Sequence, residues 1–154
     1  MALTRRFSRL YPRYAPENLF ALAADIESYP AFVPGCQRAR IVGRDGDRLE
    51  VENVFGFGPL RQPFHTSAEL KAPRELAIVS RDGPWRLFSM NWRFEPERFG
   101  CLLFCEAVLD FDSRVLNLVA SIAAADVERQ VLAAFERRAE TLFGPGPGER
   151  NMTR

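Results

Sequence analysis

The stretch SRVLNLVASIAAADVERQVLAAFERRAETLFG, residues 113–144, decides how the rest of the chain is arranged. It holds no proline and no internal glycine, and Asp112 and Ser113 both offer an N-cap. Val115, Leu118, Val119, Ile122, Val127, Val131, Ala134, Phe135, Ala139 and Leu142 recur near helical spacing, with charges mostly between them from Asp126 onward. Gly144 followed by Pro145 is a stop signal. Such a helix spans roughly 45 Å, more than one small domain needs, so the remaining elements must wrap around it. Its halves differ. Residues 115–125 carry no charge, whereas residues 126–140 are amphipathic and Glu136, Arg137, Arg138 and Glu140 read as solvated. The first half reads in two ways, as a segment buried all round or as a wall beside an apolar ligand or a membrane.

Working outward, residues 101–111 place Cys101, Leu103, Cys105, Ala107, Leu109 and Phe111 on one face of a strand. Residues 85–95 do the same with Phe88, Met90, Trp92 and Phe94, after a turn at Asp82-Gly83-Pro84 that ends a short strand over 75–81. In residues 63–71, Phe64, Thr66, Ala68 and Leu70 share a face, which turns His65 toward solvent. Asp45-Gly46-Asp47 is a hairpin signal between strands 37–44 and 48–57, the second alternating Leu49, Val51, Asn53 and Phe55 with Glu50 and Glu52. The turn from Phe55 to Leu60 is greasier than a surface loop requires. Residues 4–12 read as a strand near an edge. Ala15-Pro16-Glu17 then opens a helix, and Ser28 caps a second short piece holding Tyr29 and Phe32.

These elements predict an α+β fold in which a curved antiparallel sheet of about seven strands grips the C-terminal helix, with two short helices after the first strand. One domain is expected over residues 1–144 and a disordered tail over 145–154. A curved sheet bows away from a straight helix at one end. The small residues Cys105, Ala107, Ala123 and Ala124 favour an apolar cavity there.

The chain has 154 residues, 47% of them hydrophobic, and a net charge of +1, so no overall field drives it toward nucleic acid or anionic membrane. No apolar run reaches transmembrane length, and the N-terminal arginines lack the apolar core of a secretion signal. The odd number of cysteines (Cys36, Cys101 and Cys105) fits a reduced, cytoplasmic setting, and their spacing is not that of a metal site.

Several stretches together resemble the coenzyme-Q-binding, polyketide-cyclase-like branch of the START or birch-pollen-allergen-like helix-grip fold. They are Tyr14-Ala15-Pro16 with Phe20 and Leu22; Asp25-Ile26-Glu27-Ser28-Tyr29-Pro30 with Phe32, Pro34 and Cys36; Gly83-Pro84 with Trp92-Arg93-Phe94; Phe111 with Ser113; and residues 134–139. Where that family commonly has Trp between Pro and Cys this chain has Gly35, and after Gly83-Pro84 it has Trp85 in place of Phe. The resemblance implies a bacterial, cytoplasmic protein, peripheral on the inner membrane, that binds a prenylated quinone such as ubiquinone and supports respiration or quinone synthesis. It implies no catalytic set and no cofactor. Its relatives include toxins that block association of ribosomal subunits, which makes the ribosome an alternative partner.

A quinone needs an apolar slot, aromatic rings and a few polar contacts. The expected lining is Phe32, Phe55, Phe64, Phe88, Trp92 and Phe94 with Leu118, Val119 and Ile122 from the helix, and Tyr29, Asn53 and Asn91 as polar contacts. Phe55, Phe57, Leu60, Val115 and Leu116 form the expected mouth toward a bilayer. A ribosome-binding reading rests on Arg5, Arg6, Arg9 and Arg13. A cyclase or aromatase reading finds no acid–base pair or activated nucleophile in the inward rows.

Overall fold

Period-two alternation and turn chemistry produce the strands, and the absence of both produces the long helix. The computed structural model describes residues 2–57 and 60–144. In chain order it contains β1 (Leu3–Tyr11), α1 (Pro16–Ala24), a 3-10 turn (Ile26–Ala31), β2 (Cys36–Asp45), β3 (Arg48–Phe57), β4 (Leu60–Lys71), β5 (Glu75–Ser80), β6 (Trp85–Glu97), β7 (Gly100–Phe111) and α2 (Arg114–Phe143). The strands form one antiparallel sheet in the order β1-β7-β6-β5-β4-β3-β2, so β1 and β2 are its edges. The expected tail, residues 145–154, lies outside the described residues.

The second short helix is a single 3-10 stretch. Pro30 sits inside it, and Tyr29 Oη donates to the Ala23 carbonyl at 2.5 Å, tying the turn back to α1. Gly83 shows why the β5–β6 turn needs glycine. Its φ is +61°, and a Cβ there would stand 2.6 Å from the Pro63 carbonyl oxygen.

Helix α2 is held at its two ends by different means. At its start, Ser113 Oγ accepts from the Leu116 amide as an N-cap. Asn117 then clamps the helix to the end of β7: its Oδ1 accepts from the Phe111 amide at 2.8 Å and its Nδ2 donates to Asp110 Oδ1 at 3.0 Å. In the second half, Leu132, Ala134, Phe135 and Ala139 are buried. Phe135 stacks on Trp92 with ring centroids 5.8 Å apart and lies 6.4 Å from Tyr11.

Strand β1 adds a row of polar ties to the same helix. Arg5 pairs with Glu128 at 3.3 Å and Arg9 with Glu136 at 2.5 Å, while Tyr11 Oη donates to Glu136. Four strand residues rise about 13 Å and eight helix residues about 12 Å, so the two spacings match when strand and helix run in parallel. Glu136, expected to be solvated, is thus a partner of the sheet edge. These pairs are partly exposed and each contributes no more than about 1 kcal/mol. Burial of the aromatic and aliphatic side chains dominates the anchoring.

Phe135→Ala is therefore expected to lower unfolding stability by about 3–5 kcal/mol in urea titration. Ile122→Ala, on the outer side of the other half, should stay within about 0.5 kcal/mol of the parent.

Candidate functional site

The concave face of the sheet carries two aromatic groups, one toward each end of β6. Toward its C-terminal end, Trp92 is 6% exposed and lies parallel to Phe94 and Phe135, with Phe7 edge-on at 6.3 Å. Phe20 meets Phe94 at 5.8 Å. At its start, Phe55 stacks on Phe64 at 5.7 Å, Phe64 meets Trp85 edge-on at 5.8 Å, and Trp85 stacks on Phe111 at 4.2 Å. Phe88 closes that group, 4.9 Å from Trp85.

Between the two groups, helix and sheet cover each other less completely than around Phe135. On α2, Ala120, Ala124 and Val131 lie on the same side as buried Phe135 and are half-buried. Alanine side chains are too short to reach the sheet as Phe135 does. Val127 is 41% exposed, and Ala120, Ala124, Phe88, Met90 and Leu109 are only half-buried. The result is incompletely covered apolar surface beside the junction of β7 and α2. That rim is tied together by the Asp112 amide, which donates to the Pro84 carbonyl at 2.8 Å.

Polar groups on the inner rows are few. Asn53 is buried, with Nδ2 near Thr66 Oγ1 at 3.0 Å and the Phe64 carbonyl at 3.3 Å, so that amide is committed within the sheet. Tyr29 is committed through its hydroxyl, and burial pushes its pKa above the ordinary value. The indole Nε1 atoms of Trp85 and Trp92 are buried and have no hydrogen-bond partner among the described residues. An unmet buried donor costs about 1–3 kcal/mol, which a ligand oxygen would recover. Burial pushes the thiols of Cys36 and Cys101 up to about 11 and that of Cys105 to about 12. His65 is exposed on the outer face beside Asp82, whose carboxyl the His65 amide and ring hold below the usual range. Among the described residues no group of three His, Cys, Asp or Glu side chains is placed to hold a metal ion.

The structure brings Phe55, Phe64, Phe88, Trp92 and Phe94 onto the concave face, with Tyr29 and Phe32 paired at 5.7 Å under Arg138. It corrects four expected lining residues. Asn91 is exposed on the opposite face, because strand alternation turns it away from Trp92. It borders instead an open groove of about 600 Å³ with Arg6, Arg93 and Glu106. Leu118, Val119 and Ile122 are 62%, 54% and 76% exposed, because the helix presents its alanine row to the sheet and these three to water. Of the expected mouth, Leu116 and Phe55 are half-buried, Val115 is 70% exposed, and the side chains of Phe57 and Leu60 lie outside the described residues. Trp85 and Met90 were missed as wall residues. Met90 was legible from alternation. Trp85 was not, since a register shift between Trp85 and Leu87 returns it to the inner face.

Residues 13–136 match the sequence pattern of the polyketide cyclase/dehydrase and lipid transport family. The chain belongs to that family. Within it, the chain is 29% identical over 147 residues to the ribosome association toxin RatA of Rickettsia prowazekii, covering 92% of this chain and 99% of the toxin. It is 27% identical over 139 residues to the mitochondrial coenzyme Q-binding protein COQ10 homolog B of Xenopus laevis, covering 85% of this chain and 56% of that protein. A START superfamily protein from Mycobacterium smegmatis superposes with a TM-score of 0.76 at 16% identity, over 92% of this chain and 98% of the other. The fold is the START-like helix-grip, as the family's sequence motifs imply.

A thiol with pKa about 11 holds roughly a hundredfold less thiolate at pH 8 than one at 9. At pH 8 the three cysteines are accordingly expected to react with a disulfide reagent at least about a hundredfold more slowly in the folded protein than in urea. Titration of free thiol against time checks this.

Proposed function

We propose that this chain binds a hydrophobic ligand between α2 and the concave sheet face, without catalysing its conversion. The ligand class we assign is ubiquinone or a related prenyl quinone, carried or chaperoned on the cytoplasmic side in support of respiration or quinone synthesis. The observation that carries this reading is the incomplete burial of Phe88, Met90 and Leu109 on the concave face and of Ala120 and Ala124 on α2. Unfilled apolar surface costs about 25 cal/mol per Å², and an apolar ligand removes that cost. Flat aromatic rings suit a quinone head, and the partnerless indole N–H groups of Trp85 and Trp92 suit its carbonyl oxygens. The likeness to a coenzyme Q-binding protein favours a quinone within the hydrophobic class.

The likeness to a ribosome association toxin over nearly the whole chain supports a second reading, attachment to ribosomal subunits. Binding of RNA draws on unpaired basic side chains. Here Arg5, Arg6 and Arg9 are paired with Glu128, Glu106 and Glu136, which weakens the arginine patch as an RNA surface. The family's name also covers cyclisation, which needs an acid or base against the substrate. The described inner rows of β3 to β7 carry no His, Asp or Glu, so binding is the better-supported reading.

Mild purification, solvent extraction and mass spectrometry should recover a prenyl quinone. Ala124→Trp, which covers that surface, should lower the recovered amount at least about tenfold with helix content retained. Failure to recover or load any prenyl lipid would sink the quinone reading, and co-sedimentation with ribosomal subunits in its place would favour the second.

A further inference from the structure

A polar atom is buried without penalty only when its hydrogen bond is met, so the groups a site leaves unmet select the ligand it takes. Among the described residues, the buried side-chain nitrogen and oxygen atoms without a partner are the indole Nε1 atoms of Trp85 and Trp92. Both are N–H donors, and an indole nitrogen never accepts.

The two indoles differ in their surroundings. Trp92 is 6% exposed between Phe94 and Phe135, beside buried Leu103 and Cys105. Trp85 belongs to the incompletely covered end of the concave face. Its ring stacks on Phe111 at 4.2 Å and meets Phe88 at 4.9 Å, and all three residues are half-buried. A flat apolar ligand that covers this surface lies against Trp85. The acceptors nearby are taken. The Phe111 carbonyl accepts from Asn117 Nδ2 at 3.3 Å, and the Pro84 carbonyl accepts from the Asp112 amide at 2.8 Å. Asn117 Oδ1 accepts from the Phe111 amide. Deeper in the sheet, Asn53 Nδ2 donates to Thr66 Oγ1, and Ser80 Oγ lies between the Asp82 amide and the His65 carbonyl. The described inner rows of β3 to β7 carry no His, Asp or Glu that would accept a further O–H.

We infer that the site distinguishes the oxidation states of its ligand. It holds a ring bearing carbonyl oxygens in preference to the same ring bearing hydroxyls, with Trp85 Nε1 as the donor. This selectivity deepens the quinone reading above and rests on it. A carbonyl oxygen only accepts, which is what an unmet N–H requires. A hydroxyl oxygen also accepts, but its own O–H then needs an acceptor. Burying that O–H unmet weakens binding by roughly 5- to 150-fold.

The test is titration calorimetry under argon, with ubiquinone carrying a single isoprene unit and with the same compound reduced to its quinol. The parent is expected to bind the quinone at least about tenfold more tightly. That ratio places the potential of the bound couple about 30 mV below that of the free one. Trp85→Phe keeps a stacked ring and removes the donor, so the ratio should fall to within about twofold of unity. In protein carrying nitrogen-labelled tryptophan, the Trp85 indole resonance, assigned through its contacts with Phe111, should move downfield with quinone and less with quinol. This readout decides the matter even where the substitution lowers the thermal midpoint. Equal affinity of the parent for the two forms overturns the inference and leaves the quinone reading intact. A ratio that survives in Trp85→Phe, or a shift of the Trp92 resonance in place of the Trp85 one, removes Trp85 as the donor and overturns it too. A parent that binds neither form removes the quinone reading and the inference with it.

Discussion

The stacking of Phe135 on Trp92 is the contact on which the rest of the arrangement depends. It fixes the second half of α2 against the centre of the sheet, where Phe94, Phe7 and Tyr11 close around the same pair. Asn117 fixes the other end by holding the backbone and side chain at the end of β7. A stiff rod held at two points over a curved sheet covers it most closely at those points. The short side chains of Ala120 and Ala124 cover the sheet less than Phe135 does, and the apolar residues between the two anchors stay half-buried.

The same placement sets the chemistry of both sides of the helix. Inside, the walls are aromatic and aliphatic, the thiols are held neutral by burial, and the indole N–H groups are the notable unmet donors. Outside, Val115, Leu118, Val119 and Ile122 are exposed between Arg114 and Asp126, and charge resumes at the Asp126–Arg129 pair. Along the β1 edge the arginines face carboxylates of α2 at matching rise. These weak, solvent-screened pairs set the register of helix on strand while apolar burial provides most of the energy.

Much of the fold was legible in the chain. Alternation in β3, β4, β6 and β7 named the inner rows, and the cap at Ser113 and the stop at Gly144 bounded the helix. His65 was placed outside by the same period-two argument. The candidate site was legible in part. The aromatic wall came from strand alternation, while Asn91 was assigned against its own strand's period. Trp85 was hidden by a bulge that shifts the period locally, and no pattern in the sequence marks such a shift.

The sequence by itself determined the element order, the sheet's inner faces and the division of the long helix into an uncharged half and an amphipathic half. Those properties are local, carried by spacing and by turn and cap residues. Only the tertiary structure decided which way the uncharged half faces. Residues 115–125 are apolar or small nearly all round, so helical periodicity supplies no preferred direction there. The rotation is set at a distance, by Asn117 at one end and Phe135 at the other. It turns alanines toward the sheet, and Val115, Leu118, Val119 and Ile122 toward water.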